Sequence, residues 1–318
     1  MPLLSVRNLV LHYRTRKGLV RAVDDVSFDV EQGETFALVG ESGCGKTSTA
    51  SALLRMLPRN VGSYTGQVEL DGIDVMQLSD EDFRKDVRWR RVSIVFQGAM
   101  NALSPMIPVG QQIAEPLIVH LDAEKEEAIE KAQQVIKSVG LPPYTMKQYA
   151  HELSGGMKQR VVIAMALVMK PSLVILDEPT SALDVMTQAN IMNLLKGLKK
   201  EESLSYIFIT HDLGLSSELA DKVGIMYAGR LAEVGPAEEI YPNPKHPYTQ
   251  KLLASAPKLR TEDKPDSIPG TPPDLVKPPD GCRFHPRCPF VFDKCKVEVP
   301  PYYGETDRAA CWLLEPGR

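Results

Sequence analysis

Apolar and polar residues alternate along Leu3–Leu11 and again along Ala22–Val30, the period of two expected of half-buried β-strands. The second run stops at the turn Gln32-Gly33. Thr35–Val39 reads as a short buried strand leading straight into Gly40, and Lys46–Leu57 then carries helical spacing as far as Pro58. A charged, helically spaced stretch over Ala123–Val139 is closed by Gly140 and the Pro142-Pro143 pair. Two more helices are predicted over Gly156–Met169 and Met186–Leu198, and buried strands over Leu173–Leu176 and Ser205–Ile209. Lys222–Tyr227 and Arg230–Val234 flank Ala228-Gly229 as the arms of a hairpin. Strands alternating with helices predict an α/β fold, a mostly parallel sheet covered by helices with a small antiparallel part near the N-terminus.

The pattern changes near residue 257. Ten of the 25 prolines lie between Pro265 and Pro301, where they block both helix continuation and central strand pairing. A boundary is therefore expected around residues 240–260, dividing a domain of residues 1–250 from an irregular, proline-rich module of residues 251–318. No internal repeat is visible. Hydrophobic residues make up 43% and charged residues 25%, which is ordinary globular composition and excludes a disordered chain. The net charge of -4 offers no basic surplus, so nucleic acid is not an expected partner. Val161–Met169, the longest apolar run near the middle, is far shorter than the ~20 residues of a membrane span. The N-terminus lacks a charged region followed by an apolar stretch, so a cytosolic protein that docks on a membrane partner is expected.

Gly40-Glu-Ser-Gly-Cys-Gly-Lys-Thr47 matches the phosphate-loop pattern G-x-x-x-x-G-K-[ST], with a buried strand before it and a helix after it. Glycines let backbone N–H groups turn inward around a β-phosphate, and the helix start adds a favourable dipole. Lys46 is expected to reach the β- and γ-phosphates of ATP, and the Thr47 hydroxyl to meet Mg²⁺. Ser42, Gly43, Cys44, Gly45 and Ser48 complete the expected nucleotide contacts. The apolar strand Leu173-Val-Ile-Leu ends in Asp177-Glu178, which suits a magnesium partner followed by a general base for the attacking water. Leu153-Ser-Gly-Gly-Met-Lys-Gln-Arg160 opens a helix with Ser154 as N-cap and two glycines at its positive end. That is a second anion-binding site, and one ATP does not need two.

Together these motifs resemble the ATP-binding subunits of ABC transporters, whose signature reads Leu-Ser-Gly-Gly. The resemblance covers roughly residues 3–240 and implies a phosphate-loop NTPase fold of ABC type: a mostly parallel core, an N-terminal antiparallel β-subdomain and a helical signature subdomain at about 98–168. It implies that two subunits pair head-to-tail, so that Ser154, Gly155, Gly156 and Asp184 act on the partner's nucleotide. Gln97 in Ile94-Val-Phe-Gln97 resembles the glutamine that reaches Mg²⁺ and the attacking water. His211 resembles the switch histidine on the γ-phosphate, and Tyr13 the aromatic that stacks on adenine. The implied catalytic set is Glu178, His211, Gln97 and Lys46, with Thr47, Gln97 and Asp177 at the magnesium.

Several segments resemble the dipeptide and oligopeptide importers in particular: Ser104-Pro-Met, Gln111-Gln-Ile-Ala-Glu-Pro, His246-Pro-Tyr-Thr-Gln250 and the tail around Ile268–Leu275 and Gly281–Pro289. Cys44 stands where serine is usual, and Ala102-Leu-Ser-Pro105 replaces a commoner Leu-Asn-Pro; neither removes a catalytic group. The resemblance implies an ATPase on the cytoplasmic face of the membrane, partnered by a second ABC ATPase (a paralogue in this subgroup), two transmembrane permease subunits and an extracytoplasmic solute-binding protein. A soluble ABC-type ATPase, or an importer of another solute such as oligosaccharides, is the alternative. Soluble relatives generally carry a long coiled-coil insertion or two cassettes, and neither is present in this sequence.

Cys282, Cys288, Cys295 and Cys311 crowd the last forty residues with the spacing C-x5-C-x6-C-x15-C. The tight C-x2-4-C pairs of structural zinc are absent, whereas four loosely spaced thiolates suit an iron–sulfur cube. Zinc and unligated thiols stay open on spacing alone, and His285 is an alternative ligand. The peptide-importer resemblance implies a 4Fe–4S cluster that cross-links a tail without a core of its own.

Overall fold

The computed structural model describes residues 1–98, 101–255 and 268–317. Pro265 and the stretch 256–260 of the expected boundary lie outside the described residues. From the N-terminus come β1 (Leu4–Thr15), β2 (Gly18–Val30), β3 (Thr35–Val39), α1 (Lys46–Leu53), β4 (Val61–Leu70), β5 (Ile73–Asp74) and α2 (Asp80–Asp82). The middle holds β6 (Val92–Val95), α3 (Val109–Leu121), α4 (Lys125–Ser138), α5 (Gly155–Leu167), β7 (Leu173–Asp177) and α6 (Val185–Glu202). Then follow β8 (Ser205–Thr210), α7 (Leu213–Leu219), β9 (Lys222–Tyr227), β10 (Arg230–Pro236), α8 (Ala237–Ile240), α9 (Pro247–Ala254), α10 (Asp293–Val297) and β11 (Arg308–Ala309).

The chain forms two compact units. One comprises Met1, Glu31–Gly33 and Leu70–Phe208; the other comprises Pro2–Val30, Glu34–Glu69 and Ile209–Arg318. Within the first, β6 and β7 pair in parallel, from Val92 opposite Leu173 to Val95 opposite Leu176. Every residue of β7 is buried, the continuous apolar pattern of a strand covered on both faces. Helices α3, α4 and α5 pack against one another in the same unit. Within the second, β1 and β2 pair antiparallel, β3 pairs in parallel with β9, and β10 and β11 extend that sheet antiparallel. The hairpin turn has φ of 48° at Ala228 and 85° at Gly229, the two left-handed residues that a twisted two-residue loop requires.

Helix ends follow local chemistry. Predicted to run to Leu57, α1 stops at Leu53, because Arg55 adopts φ of 50° and the N–H groups of Arg55 and Met56 close back on Ala52 and Ser51. This is the Schellman arrangement, formed here without glycine. At the end of α4 the same closure uses Gly140, with φ of 72° and bonds to Lys137 and Ile136. Two elements have no clear periodic signal. β4 is largely half-exposed, and α3 runs through Pro116, which sequence alone reads as a break.

Candidate functional site

The phosphate loop grows out of the buried strand β3. Gly45 is the N-cap of α1 with φ of 114°, and a Cβ there would lie 2.1 Å from the Ala22 carbonyl oxygen. A Cβ on Gly40 would lie 2.2 Å from the Met226 carbonyl oxygen. Both positions therefore demand glycine by contact, one of them also by backbone angle. Lys46 is buried, and its Nζ donates to the carbonyl oxygens of Gly40 (2.8 Å) and Glu41 (3.0 Å), spanning the loop. Ser42, Gly43 and Thr47 are exposed at the loop's outer face, and Ser48 is half-buried. Cys44 is buried against this lysine, and burial raises its thiol pKa, so it packs as a small apolar residue. Its carbonyl accepts from the Gly229 N–H at 2.8 Å, tying the loop to the β9–β10 turn.

The carboxylates end β7. Asp177 is buried, and Glu178 turns the chain with φ of 49°, a left-handed backbone that is uncommon for a residue with a side chain. That reversal ends at Glu178 the alternation of faces that continued pleating would impose on Asp177 and its neighbour. Gln97, just beyond β6, donates its Nε2 to Glu178 Oε2 at 2.7 Å. The two residues lie 81 positions apart in sequence.

Two helix starts lie in the same unit. Ser154 caps α5 by accepting from the Met157 N–H at 3.3 Å, leaving Ser154 and Gly155 exposed. Asp184 caps α6 through the Thr187 N–H (3.0 Å) and Oγ1 (2.6 Å), and these bonds hold its carboxyl below the usual range. A Cβ on Gly156 would lie 2.8 Å from Thr187 Cγ2, so this glycine is also a packing requirement between the two helices. In the second unit, His211 is exposed immediately after β8, ahead of Asp212, which caps α7 by accepting from the Leu215 N–H. Tyr13 is half-buried on β1 opposite Val20.

The four C-terminal cysteines are unpaired as disulfides, with Cys295 and Cys311 buried and Cys282 and Cys288 half-buried. Burial, then the charges of the other three cysteines, pushes the Cys282 thiol up to about 12, and burial takes Cys311 up to about 11. The four groups thus share one neighbourhood, and the Cys282 N–H bonds the Cys295 carbonyl at 2.9 Å. The expected closed ligand set is not formed: among the described residues no group of three or more His, Cys, Asp or Glu stands close enough to hold a metal ion.

Sequence reasoning missed how the C-terminal module meets the phosphate loop. Arg287 reaches Glu41 with both terminal nitrogens (2.7 and 3.0 Å), and the Glu41 N–H donates to the Tyr248 hydroxyl at 3.0 Å. These partners are 246 and 207 positions apart, too distant for any local pattern to reveal. The available signal was a pair of unexplained arginines, Arg283 and Arg287, between Cys282 and Cys288.

A buried strand, a glycine-built loop and a helix start spanned by a buried lysine define a phosphate-loop nucleotide-binding protein. Residues 23–181 match the ABC transporter family, and residues 232–295 match the oligopeptide/dipeptide transporter C-terminal region. The chain is 43% identical to the oligopeptide transport ATP-binding protein OppD of Bacillus subtilis, over 99% of this chain and 89% of that protein. It is 43% identical to the dipeptide transport ATP-binding protein DppD of the same organism, over 98% and 95%. Among solved structures, the dimeric cassette MJ0796 bound to ADP and Pi aligns with a TM-score of 0.65 at 26% identity, covering 74% of this chain and 98% of that one. The protein cbiO1 of Clostridium perfringens, part of the transporter complex cbiONQ, gives 0.65 at 29% identity, covering 76% and 91%. The chain belongs to the ABC transporter family as an ATP-binding subunit of peptide-importer type, and it is an ATPase.

Proposed function

We propose that this chain hydrolyses ATP to drive import of dipeptides or oligopeptides, working as one of two paired cassettes beneath two permease subunits that receive solute from an extracytoplasmic binding protein. The observation that carries the reading is the co-occurrence of the ABC segment with the oligopeptide/dipeptide C-terminal segment, in a chain matching OppD and DppD along nearly its whole length. No helix among the described residues is long and apolar enough to cross a membrane; peripheral attachment at the cytoplasmic face is part of this proposal. The domain division at residue 250 is retained as part of this proposal.

In this reading Lys46 and the loop N–H groups, with Ser42–Ser48, bind the phosphates, and Tyr13 faces the adenine. Glu178 takes a proton from water as its oxygen attacks the γ-phosphorus and the bond to the β–γ bridging oxygen breaks, with Gln97 holding the Glu178 carboxylate. His211 supports the γ-phosphate. Magnesium, when bound, neutralises phosphate charge. The Thr47 hydroxyl, Gln97 carboxamide oxygen and Asp177 carboxylate would hold it, an all-oxygen set suited to a hard cation. Ser154, Gly155, Gly156 and Asp184 serve the partner's nucleotide. In support, Val185 and Met186 are 78% and 73% exposed beside Asp184, apolar surface suited to a second cassette. The partner is a paralogous ATPase in this reading. Capture of the chain from detergent-solubilised membranes should recover permease subunits, and its loss should abolish uptake of labelled di- and tripeptides. Unchanged uptake would reject peptide import.

The finer reading of the tail, a 4Fe–4S cluster on Cys282, Cys288, Cys295 and Cys311, is supported by donor chemistry, four thiols in one neighbourhood, and not by ligand geometry. Anaerobic purification should then yield a brown protein with about four irons per chain, the content of one such cube. A colourless, iron-free protein rejects the cluster.

A further inference from the structure

The phosphate loop carries an acidic residue of its own. Glu41 directly follows Gly40, within the segment proposed to hold a polyanion, and a carboxylate there opposes phosphate binding. Its charge is met by a residue from the other end of the chain. The Arg287 side chain is 5% exposed and Glu41 is 23% exposed, and the two form a bidentate pair. The arginine is itself held in place: its Nε donates to the Pro269 carbonyl at 2.8 Å, and its Nη1 also reaches the Tyr227 hydroxyl at 3.3 Å. Tyr227 packs with Tyr248 and Phe284 at ring-centroid distances of 4.6 and 5.2 Å, and Tyr248 accepts the Glu41 N–H.

A second arginine of the module holds the turn to which the same loop is tied. Arg283 is buried, donates to the Ala228 carbonyl and pairs with Asp24. Ala228 precedes Gly229, whose N–H holds the Cys44 carbonyl. Arg283 and Arg287 are the chain neighbours of Cys282 and Cys288, so the segment between these cysteines supports the loop at both Glu41 and Cys44.

We propose that the C-terminal module is a working part of the ATP site, with Arg287 as a positioning residue that neutralises Glu41 and fixes its carboxylate away from the incoming triphosphate. The inference rests on the reading that Gly40–Thr47 holds ATP. Arg287 does not touch the reacting atoms; it acts through Glu41. Its removal leaves an uncompensated negative charge beside the cradle, whereas removal of both charges takes the repulsion away.

The test is a charge cycle on the full-length chain, with Mg-ATP affinity measured by titration calorimetry and folding followed by thermal melting. Arg287→Gln should weaken ATP binding about tenfold, and the loss should shrink as NaCl is raised from about 50 to about 500 mM, because screening weakens repulsion. Glu41→Gln combined with Arg287→Gln should restore affinity to within about threefold of the unaltered protein, a recovery expected when a like-charge repulsion is the cause. If Arg287→Gln fails to fold, Arg287→Lys keeps the charge without the fork and should show a smaller, salt-sensitive loss. Equal binding by the single variant, or a double variant as weak as Arg287→Gln, overturns the proposal. Failure of the unaltered chain to bind ATP would overturn the phosphate-loop reading instead.

Discussion

Glu178→Gln is expected to lower ATP turnover by about 10²–10⁴-fold, the range for loss of a positioned general base, while ATP binding persists. Glutamine keeps the shape of the side chain and an oxygen that can still accept from Gln97 Nε2, now 2.7 Å from Glu178 Oε2. What disappears is the negative charge that, in the proposed role, takes the water's proton. The left-handed backbone at Glu178, φ of 49°, imposes the same requirement on either residue, so the fold should tolerate the exchange. Because the nucleotide then stays intact, the variant mixed with its partner cassette should accumulate as a closed pair in ATP, visible as a roughly doubled mass in size-exclusion chromatography. Single-turnover phosphate release at the original rate would remove Glu178 from the role of base.

Lys46→Met should weaken ATP binding by about 10- to 150-fold, the equivalent of the roughly 1.5–3 kcal/mol typical of a hydrogen bond to a charged group. Methionine fills a similar volume, so the change is one of charge and donors. The lysine already donates to the Gly40 and Glu41 carbonyls. The substitution therefore also strips two loop acceptors, and a modest drop in melting temperature without nucleotide should accompany the lost affinity. An affinity close to that of the unaltered chain would show that the lysine shapes the loop without meeting phosphate.

The parts of the molecule legible in sequence are those whose chemistry is local. The apolar run Thr35–Val39 before a glycine-rich loop, the run ending at Asp177-Glu178 and the hairpin at Ala228-Gly229 all became the expected elements. So did the cap at Ser154. Four features escaped for identifiable reasons. β4 has weak alternation because much of it is half-exposed, and α3 contains Pro116, which argues against a helix wherever tertiary packing is unknown. The end of α1 depended on Arg55 entering the left-handed region, which glycine usually announces. The Arg287–Glu41 pair joins residues 246 positions apart, and only the fold brings them together. At the site, residue types suggest a chemistry; which carboxylate Gln97 holds, and which arginine answers Glu41, only the fold determines.

The threonine beneath the signature helix has a further consequence. Thr187 secures the cap of α6 through Asp184 and also fills the space beside Gly156 on α5. The two helix starts are thereby geared to each other within a single chain. A second cassette docking there, as proposed, would meet the two starts as one packed surface, with the same threonine lying behind both.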